Sequence, residues 1–483
     1  MVRPSPLDIY TLVDKSNCKE CGYDTCMAFA TDLLERKIHL EDCTHLMKDQ
    51  KQKKNYLKLK ELITPPQKPV QIGVGPRKVI IGGEEVLMRH QLTFYNQTGI
   101  FIEIADTQED IISIIKYLTD LKIERMGEKL TLDGIALRCV SKEGEKFMEA
   151  AKTIVNNTDL PIMLCCLDPE ILIKAAEEIK DKKPALYAAT KKNWELLGQF
   201  SIQNNLPLVV TSNNLDELIS LSTTLDKLGV DQIILDPGTF FGQGKIGFNY
   251  DNIVQLRTAG IEKNIYSAGW PIMGVPAAYW AQIRKIKKKE DLWKHKYQEV
   301  IMGSIMISID TSLIILHTGK NKDDIWALLA LMTLRQSIFS DPRIYPSVEP
   351  GLYEIGNPDQ MSTVLVTSNY RLTKIPVEID VKGANIDSWL LVVDSEGIGI
   401  ESAVAGGQFS ASAIGEAVKE YNVFEKLNHR ILIIPGMAAR LSGALEDEAD
   451  CYVLVGPRDS SGIKKFIDEM WTPEKYMKEY KNR

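Results

Sequence analysis

Between residues 95 and 335 the sequence repeats one unit, a short apolar run followed by a helix-like stretch, and this alternation limits the fold more than any other feature. The apolar runs are Ile100–Ala105, Gly134–Val140, Pro161–Leu167, Ala185–Ala189, Leu208–Thr211, Gln232–Leu235, Ile265–Ala268 and Val300–Ile307. The stretches after them are Thr107–Leu121, Glu143–Val155, Pro169–Lys180, Lys191–Gln203, Asn214–Leu228, Tyr250–Ala259, Pro276–Ile286 and Asp323–Leu334. Apolar strands separated by helices are parallel strands. Eight such units predict a closed (β/α)8 barrel of the TIM type, with an open doubly wound sheet as the alternative. Function in a barrel gathers at C-terminal strand ends, which here carry Cys166-Leu167-Asp168, Thr211-Ser212-Asn213-Asn214, Asp236-Pro237-Gly238 and Gly269-Trp270. The longest of these loops, Asp236 to Gly244, reads as a glycine-rich turn. A surface that grips a ligand or partner is the other reading.

Ahead of this repeat, Cys18, Cys21, Cys26 and Cys43 are spaced C-x2-C-x4-C-x16-C. Four clustered thiols suit a four-iron cluster. Structural zinc is the competitor, but it favours two separated knuckles, whereas here three cysteines crowd together and the fourth is distant. Unliganded thiols are the bland alternative. Gly22 permits a tight turn, and Thr25 is placed to cap a helix whose apolar positions are Met27, Ala30, Leu33 and Leu34. Cys26 then falls on the first helical turn, where free N–H groups can point at cluster sulfur.

Cys139, Cys165, Cys166 and Cys451 lie in or beside apolar runs and read as buried thiols. Eight cysteines and no signal peptide point to a reducing cytoplasm. No unbroken apolar stretch is long enough to span a membrane, and a net charge of −7 argues against general nucleic-acid binding. Lysines crowd residues 48 to 60 and Thr64-Pro65-Pro66 follows, which predicts a linker and a mobile cluster domain. The expected division is a cluster domain over 1–60, linker and barrel entry over 61–94, the barrel over 95–340 and a last α/β domain over 341–483.

That last domain opens on a proline-punctuated bridge from Asp341-Pro342-Arg343-Ile344 to Gly351. Strands are expected at Thr363–Thr367, Trp389–Val393, Ile431–Ile434 and Tyr452–Val455, and helices at Ser410–Glu420, Met437–Leu445 and Ser460–Met470. This is a small Rossmann-like layered unit. Its expected strand ends are Thr367-Ser368-Asn369-Tyr370, Ala405-Gly406-Gly407-Gln408 and Pro435-Gly436-Met437-Ala438-Ala439. Small residues there let backbone approach a bulky ligand. No P-loop or G-x-G-x-x-G follows a strand, so a nucleotide site lacks its fingerprint.

Four segments together resemble the large subunit of the corrinoid iron–sulfur protein, the gamma-subunit family of acetyl-CoA decarbonylase/synthase complexes. They are Asn17 to Gly22 continuing through Cys26 to Ala30, Ile81 to His90, Thr367 to Thr373, and Ile434 to Gly443. Thr44 follows Cys43 where cluster motifs often place proline, a departure that leaves the ligand set intact. Ile72-Gly73-Val74-Gly75 and Leu92-Thr93-Phe94-Tyr95-Asn96 point toward the archaeal form.

The resemblance implies a methyl carrier of the Wood–Ljungdahl and methanogenic one-carbon pathways. A methyl group would move between a methyl-tetrahydropterin (tetrahydromethanopterin, tetrahydrosarcinapterin or tetrahydrofolate) and the nickel cluster of acetyl-CoA synthase. The carrier would cycle between cob(I)amide and methylcob(III)amide, with the [4Fe–4S] cluster on Cys18, Cys21, Cys26 and Cys43 restoring oxidised cobalt. As an enzyme it would be a Co-methyltransferase acting as a complex subunit, with cobalt as the reactive centre. Cobamide contacts are expected from Thr367, Ser368, Asn369, Tyr370, Leu372, Thr373, Gly406, Gly407, Gln408, Gly436, Met437 and Ala438. None of the six histidines lies in a D-x-H-x-x-G motif, so the cobamide is expected base-off without a protein imidazole, and His429 reads as a turn residue. Expected partners are a smaller barrel subunit, the acetyl-CoA synthase/CO dehydrogenase subunits and a methyl-tetrahydropterin or its methyltransferase. Two other readings stay open: a cluster-bearing electron-transfer or scaffold subunit without cobamide, and a pterin-binding barrel using Asp168, Asn213, Asn214 and Asp236.

Overall fold

The computed structural model describes residues 4–36, 38–48, 50–91, 94–242, 245–283, 289–340 and 345–481. Leu92-Thr93, Gln243-Gly244, residues 284–286 of the expected seventh barrel helix and Asp341–Ile344 lie outside them. The chain forms two compact units, Met1–Lys122 with Thr131–Ser340, and Ile123–Leu130 with Asp341–Arg483.

The first unit opens with α1 (Pro6–Leu12), α2 (Cys26–Leu34) and α3 (Gln50–Ile63). Ser5 and Asp8 form a capping box ahead of α1, and Thr25 caps α2 by accepting the Ala28 N–H. Phe29, Leu33, Leu40, Leu46 and Leu59 gather into a small core belonging to this module alone. The lysine-rich stretch is therefore the exposed face of α3, whose Leu59 is buried. Next come β1 (Pro69–Ile72) and β2 (Val79–Gly82), an antiparallel pair. The Lys68 N–H donates to the Gly269 carbonyl (2.7 Å) and the Gly73 N–H to the Lys183 carbonyl (2.9 Å). Both acceptors precede barrel strands, so the pair closes the barrel's floor.

The barrel begins at β3 (Gly99–Ala105) and α4 (Ile111–Asp120). A hairpin of β4 (Ile123–Arg125) and β5 (Glu128–Leu130) interrupts it and belongs to the second unit. The barrel resumes with β6 (Gly134–Arg138), α5 (Gly144–Asn157), β7 (Ile162–Cys165), α6 (Pro169–Ile179), β8 (Ala185–Ala189), α7 (Trp194–Asn204), β9 (Leu208–Thr211) and α8 (Leu215–Leu228). It ends with β10 (Ile233–Asp236), α9 (Ile246–Arg257), β11 (Met273–Gly274), α10 (Lys289–Ser308), β12 (Leu313–Leu316) and α11 (Ile325–Phe339). The eight strands are parallel and follow chain order around the sheet, and a Leu235–Ile272 bridge closes β10 onto the start of β11. The closed barrel is the architecture found, and the open sheet is set aside. Gly134 is required in the interior, because a Cβ there would lie 2.4 Å from the Phe101 ring.

The last two strands differ from the sequence expectation. Ile265–Ala268 falls in a 3-10 turn, and the seventh strand is the short β11. Val300–Ile307 lies inside α10, and the eighth strand is β12. The burial in this segment decides it: Glu299, Val300, Met302, Met306 and Ile307 are buried at helical spacing.

The second unit is a five-stranded sheet ordered β13 (Gly351–Ile355), β15 (Ser388–Val393), β14 (Thr363–Ser368), β16 (Ile431–Ile434), β17 (Tyr452–Val455). Only β13 is antiparallel, and the sequence reading missed it. Helices α12 (Arg371–Gly383), α13 (Ile400–Gly406), α14 (Ala411–Glu420), α15 (Ser442–Ala449), α16 (Ile463–Met470) and α17 (Pro473–Lys481) cover the two faces, each over its own core cluster. Ala405-Gly406-Gly407-Gln408 is not a strand end. It closes α13, and Gly407 takes the left-handed conformation (φ 89°) that terminates a helix. In this unit, Arg371 on α12 donates to Glu128 Oε1 (2.8 Å) and the Met126 carbonyl (3.3 Å) of the β4–β5 hairpin.

Candidate functional site

The cysteine module curls because Asn17, Lys19 and Gly22 adopt left-handed backbone, with φ of 51°, 64° and 83°. Asn17 Oδ1 accepts the Cys26 N–H (2.8 Å), which ties the loop to the head of α2. That N–H, expected to face cluster sulfur, is thus taken by a side chain. Backbone donors reach sulfur at Cys43 instead. Burial pushes the Cys43 thiol up, against hydrogen bonds from the Leu46 and His45 N–H groups. Cys18, Cys21, Cys26 and Cys43 all line one small cavity, with Tyr23 and Phe29 in its apolar wall.

A charged brace fastens the two halves of this motif. Glu20 Oε2 accepts the Thr44 hydroxyl (2.8 Å), and its Oε1 lies 3.2 Å from His45 Nε2. His45 Nδ1 lies 3.1 Å from Asp14 Oδ2, and Lys48 Nζ sits 3.4 Å from Glu20. Hydrogen bonds from Thr44 and His45 draw the Glu20 carboxyl down to about 2. Cys18, Glu20 and His45 bring ligand atoms within 4.8 Å of one another. A zinc ion could accept that mixed set. Glu20 and His45 are nevertheless engaged with Asp14, Thr44 and Lys48, while four soft thiols share one cavity, a donor set that fits an iron–sulfur cluster.

In the second unit the chain leaves β14 for β15 on one side and returns to β16 on the other. The crevice at such a reversal is where open α/β sheets take ligands. A cavity of about 250 Å³ opens there, between the C-terminal ends of β14 and β16 and the first turns of α12 and α16. Thr367, Leu372, Thr373, Met437, Arg458 and Ser460 are among its lining residues. Thr367 Oγ1 and Ser368 Oγ are buried with no hydrogen-bond partner among the described residues. Thr367 lines the cavity, and an unsatisfied hydroxyl there can take a polar group of a ligand.

Comparison with known proteins was made against this geometry. Residues 69–467 match the family described as "CO dehydrogenase/acetyl-CoA synthase delta subunit", and residues 14–45 match "Putative Fe-S cluster". Acetyl-CoA decarbonylase/synthase complex subunit gamma of Methanothermobacter thermautotrophicus is 38% identical over 467 residues, covering 96% of this chain and 98% of that protein. The subunit gamma of Archaeoglobus fulgidus is 39% identical, covering 97% and 99%, and that of Methanocaldococcus jannaschii 36%, covering 99% and 98%. The chain belongs to the gamma-subunit family. The delta description covers only the barrel and the last unit, whereas the gamma relatives match along nearly the whole chain, cysteine module included. The gamma subunit is the large subunit of the corrinoid iron–sulfur protein, and this chain is its methyl carrier within the complex.

Of the residues expected to touch cobamide in this gamma subunit, Thr367, Leu372, Thr373 and Met437 come together at the crevice. Ser368 is buried on the same strand end. Asn369 faces elsewhere: its Oδ1 accepts the N–H groups of Ser395 (3.0 Å) and Gly397 (2.9 Å), and its Nδ2 donates to Asp394 (2.9 Å). Tyr370 packs on Gly399. Gly406 and Gly407 are at the exposed end of α13, beside Gln408, whose Oε1 is buried with no partner among the described residues. Gly436 is small for the neighbouring loop, since a Cβ would lie 2.9 Å from the Gly456 carbonyl. Ala438 belongs to the core. Arg458, Ser460 and Ile463 also line the crevice and were not among the expected residues, although the polar loop Gly456-Pro457-Arg458-Asp459 after β17 is the same kind of strand-end signal.

His429 sits at the other end of β16. Its Nδ1 accepts the Ile431 N–H (3.2 Å), so Nε2 carries the proton donated to the Ser362 carbonyl (3.0 Å). Burial holds its pKa below the ordinary histidine value. In the barrel, Asp168 and Asn214 are helix caps of α6 and α8. Asp236 accepts Tyr187 Oη (2.8 Å), Thr211 Oγ1 (3.1 Å) and the Gly238 N–H (2.9 Å). Burial pushes the Cys165 thiol up, and the Cys166 thiol to about 12; Cys166 and Cys451 are buried as expected, whereas Cys139 and Cys165 are half-buried. No helix among the described residues is long and apolar enough to cross a membrane.

Proposed function

We propose that the crevice between β14 and β16 holds the cobamide of this gamma subunit and that the thiolates of Cys18, Cys21, Cys26 and Cys43 hold a [4Fe–4S] cluster. The observation that carries the reading is a cavity at the sheet's reversal point, edged by the buried Thr367 hydroxyl, which has no partner among the described residues. When bound, the cobamide supplies a methyl-accepting metal centre and the cluster supplies single electrons that restore it. Thr367 and Thr373 offer hydroxyls, and Arg458 a guanidinium, to the polar side chains and phosphate of the cofactor's tail. Leu372, Ile400 and Met437 form an apolar wall that excludes water from the seated part.

The six histidines support a base-off cofactor. His429 in this unit is engaged with backbone at the opposite strand end. The methyl donor is a methyl-tetrahydropterin and the acceptor the nickel cluster of acetyl-CoA synthase, so this chain acts as a Co-methyltransferase subunit. Its partners are a smaller barrel subunit and the acetyl-CoA synthase/CO dehydrogenase subunits. The electron-transfer reading without cobamide leaves this cavity and its buried hydroxyl unexplained. Filling the cavity tests the choice. Thr373→Phe protein, folded by circular dichroism and loaded with cobamide beside its partner subunit, should retain less than about a tenth of wild-type cobalt, the loss expected when a bulky ring overfills a packed site. Undiminished cobalt in that variant refutes the crevice.

A further inference from the structure

The barrel has no reaction assigned to it, yet its C-terminal mouth holds more organised charge than a scaffold needs. Glu103 on β3 is 4% exposed. Its Oε1 accepts Nε of Arg138, the last residue of β6 (2.7 Å), and its Oε2 accepts Lys320 Nζ (2.8 Å). His317 Nδ1, following β12, lies 2.7 Å from the same Oε2. A carboxylate oxygen only accepts, so that contact puts the imidazole proton on Nδ1 and leaves Nε2 outward. Burial raises the carboxyl's pKa, but His317, Lys320 and Arg138 overcome it and hold Glu103 well below the ordinary carboxylate range.

A second carboxylate fixes this arrangement. Glu299 on α10 is fully buried and accepts Trp280 Nε1–H (2.7 Å), the His317 N–H (2.5 Å) and the Thr318 N–H (3.1 Å). The Trp280 and His317 rings lie 4.8 Å apart. One ionised Glu103 thus faces two permanent cations, Arg138 and Lys320, and Arg138 is the more exposed of the two. The Arg138 side chain is 50% exposed, and its terminal nitrogens have no partner among the described residues. A single carboxylate needs only one partner, and assembling further cations against it costs desolvation that an ion pair alone does not repay. Guanidinium N–H groups left free on a rigid strand end suit a carboxylate or phosphate.

We propose that the barrel mouth binds a small organic anion, with Arg138 gripping its carboxylate or phosphate, His317 beside it and Trp280 as a flat wall for the uncharged part. The site is separate from both the cysteine module and the β14–β16 crevice. The test is calorimetric titration of full-length, anaerobically purified protein in chloride buffer with two probes, inorganic phosphate and benzoate. At least one should bind saturably, and Arg138→Gln should weaken it about tenfold or more, the scale of a lost charge-assisted hydrogen bond. Arg138→Lys, which keeps the charge and loses the fork, should fall between. Tighter benzoate identifies a carboxylate ligand using the Trp280 wall, and tighter phosphate a phosphate ester. No saturable binding of either probe, or unchanged affinity in folded Arg138→Gln protein, overturns the proposal.

Discussion

Arg36 is the residue on which docking of the cysteine module should turn. It follows α2, and its side chain leaves the module's own core to reach the strap after β2. Nη1 donates to the Gly83 carbonyl (2.7 Å), Nη2 to Glu85 Oε1 (2.8 Å), and the guanidinium lies 3.9 Å from the Tyr95 ring centroid. The side chain is 26% exposed, so the Glu85 pair is partly screened. We assign about 1 kcal/mol to the Glu85 pair, about 1 to the carbonyl bond and about 1 to the ring contact. Loss of about 3 kcal/mol multiplies the undocked population by about a hundredfold. Arg36→Ala should therefore raise amide exchange in residues 82–91 and in the proline stretch after α3. The interior of the module, around Phe29 and Leu33, should stay protected by its own core. Hydrogen-exchange mass spectrometry reads both regions at once. Unchanged exchange at 82–91 would show that Arg36 is not the latch, and loss of protection throughout α2 would make it a folding residue instead.

Cys26→Ala protein prepared without air should lose the intact cluster, seen as a fall in bound iron; one tightly held zinc and no iron in wild-type protein would reject the cluster. Cys18→Ala protein, loaded with cobamide and chemically reduced, should still accept a methyl group and fail only when an enzymatic donor must supply the electron. Failure after direct reduction would give the cluster a part in the transfer step. Beneath the barrel, burial and the neighbouring Asp310 carboxylate push Glu84 from 4.5 up to about 8. Its folded value exceeds its unfolded one, so the stabilisation is present below about 4.5 and is lost as pH rises through about 8. Urea midpoints should fall across that window, and Glu84→Gln should flatten the fall.

The barrel was legible in sequence where strand and helix differed in composition. From β3 to β10 the buried runs are short and the helices between them carry charge on one face, so period and length agree. The reading slipped where that contrast ends. Val300 to Ile307 carries so many apolar residues that it resembles a strand, yet a 20-residue helix crosses it. Apolar content cannot separate a buried helix from a buried strand, and only spacing does. The true strand, Leu313–Leu316, is four residues long and sits behind Asp310-Thr311-Ser312, which looks like the end of an element. β13 was missed because an antiparallel edge strand has no helix of its own to mark it.

The gathering of the four cysteines was legible because cluster chemistry demands one residue type at short spacing, whereas the brace of Asp14, Glu20, Thr44, His45 and Lys48 depends on the fold bringing residues about 30 positions apart together. In the last unit the strand-end rule points to the crevice, and the small residues among the expected contacts have structural reasons of their own. Gly436 answers to the Gly456 carbonyl, Gly407 to the end of a helix and Ala438 to the core. Each is small because protein backbone or packing comes close, and a sequence cannot say whether the approaching atoms belong to the protein or to a ligand. Buried hydroxyls without partners distinguish the two cases. Thr367 and Ser368 are buried at a strand end with no hydrogen-bond partner among the described residues, a pattern that packing against protein backbone does not produce.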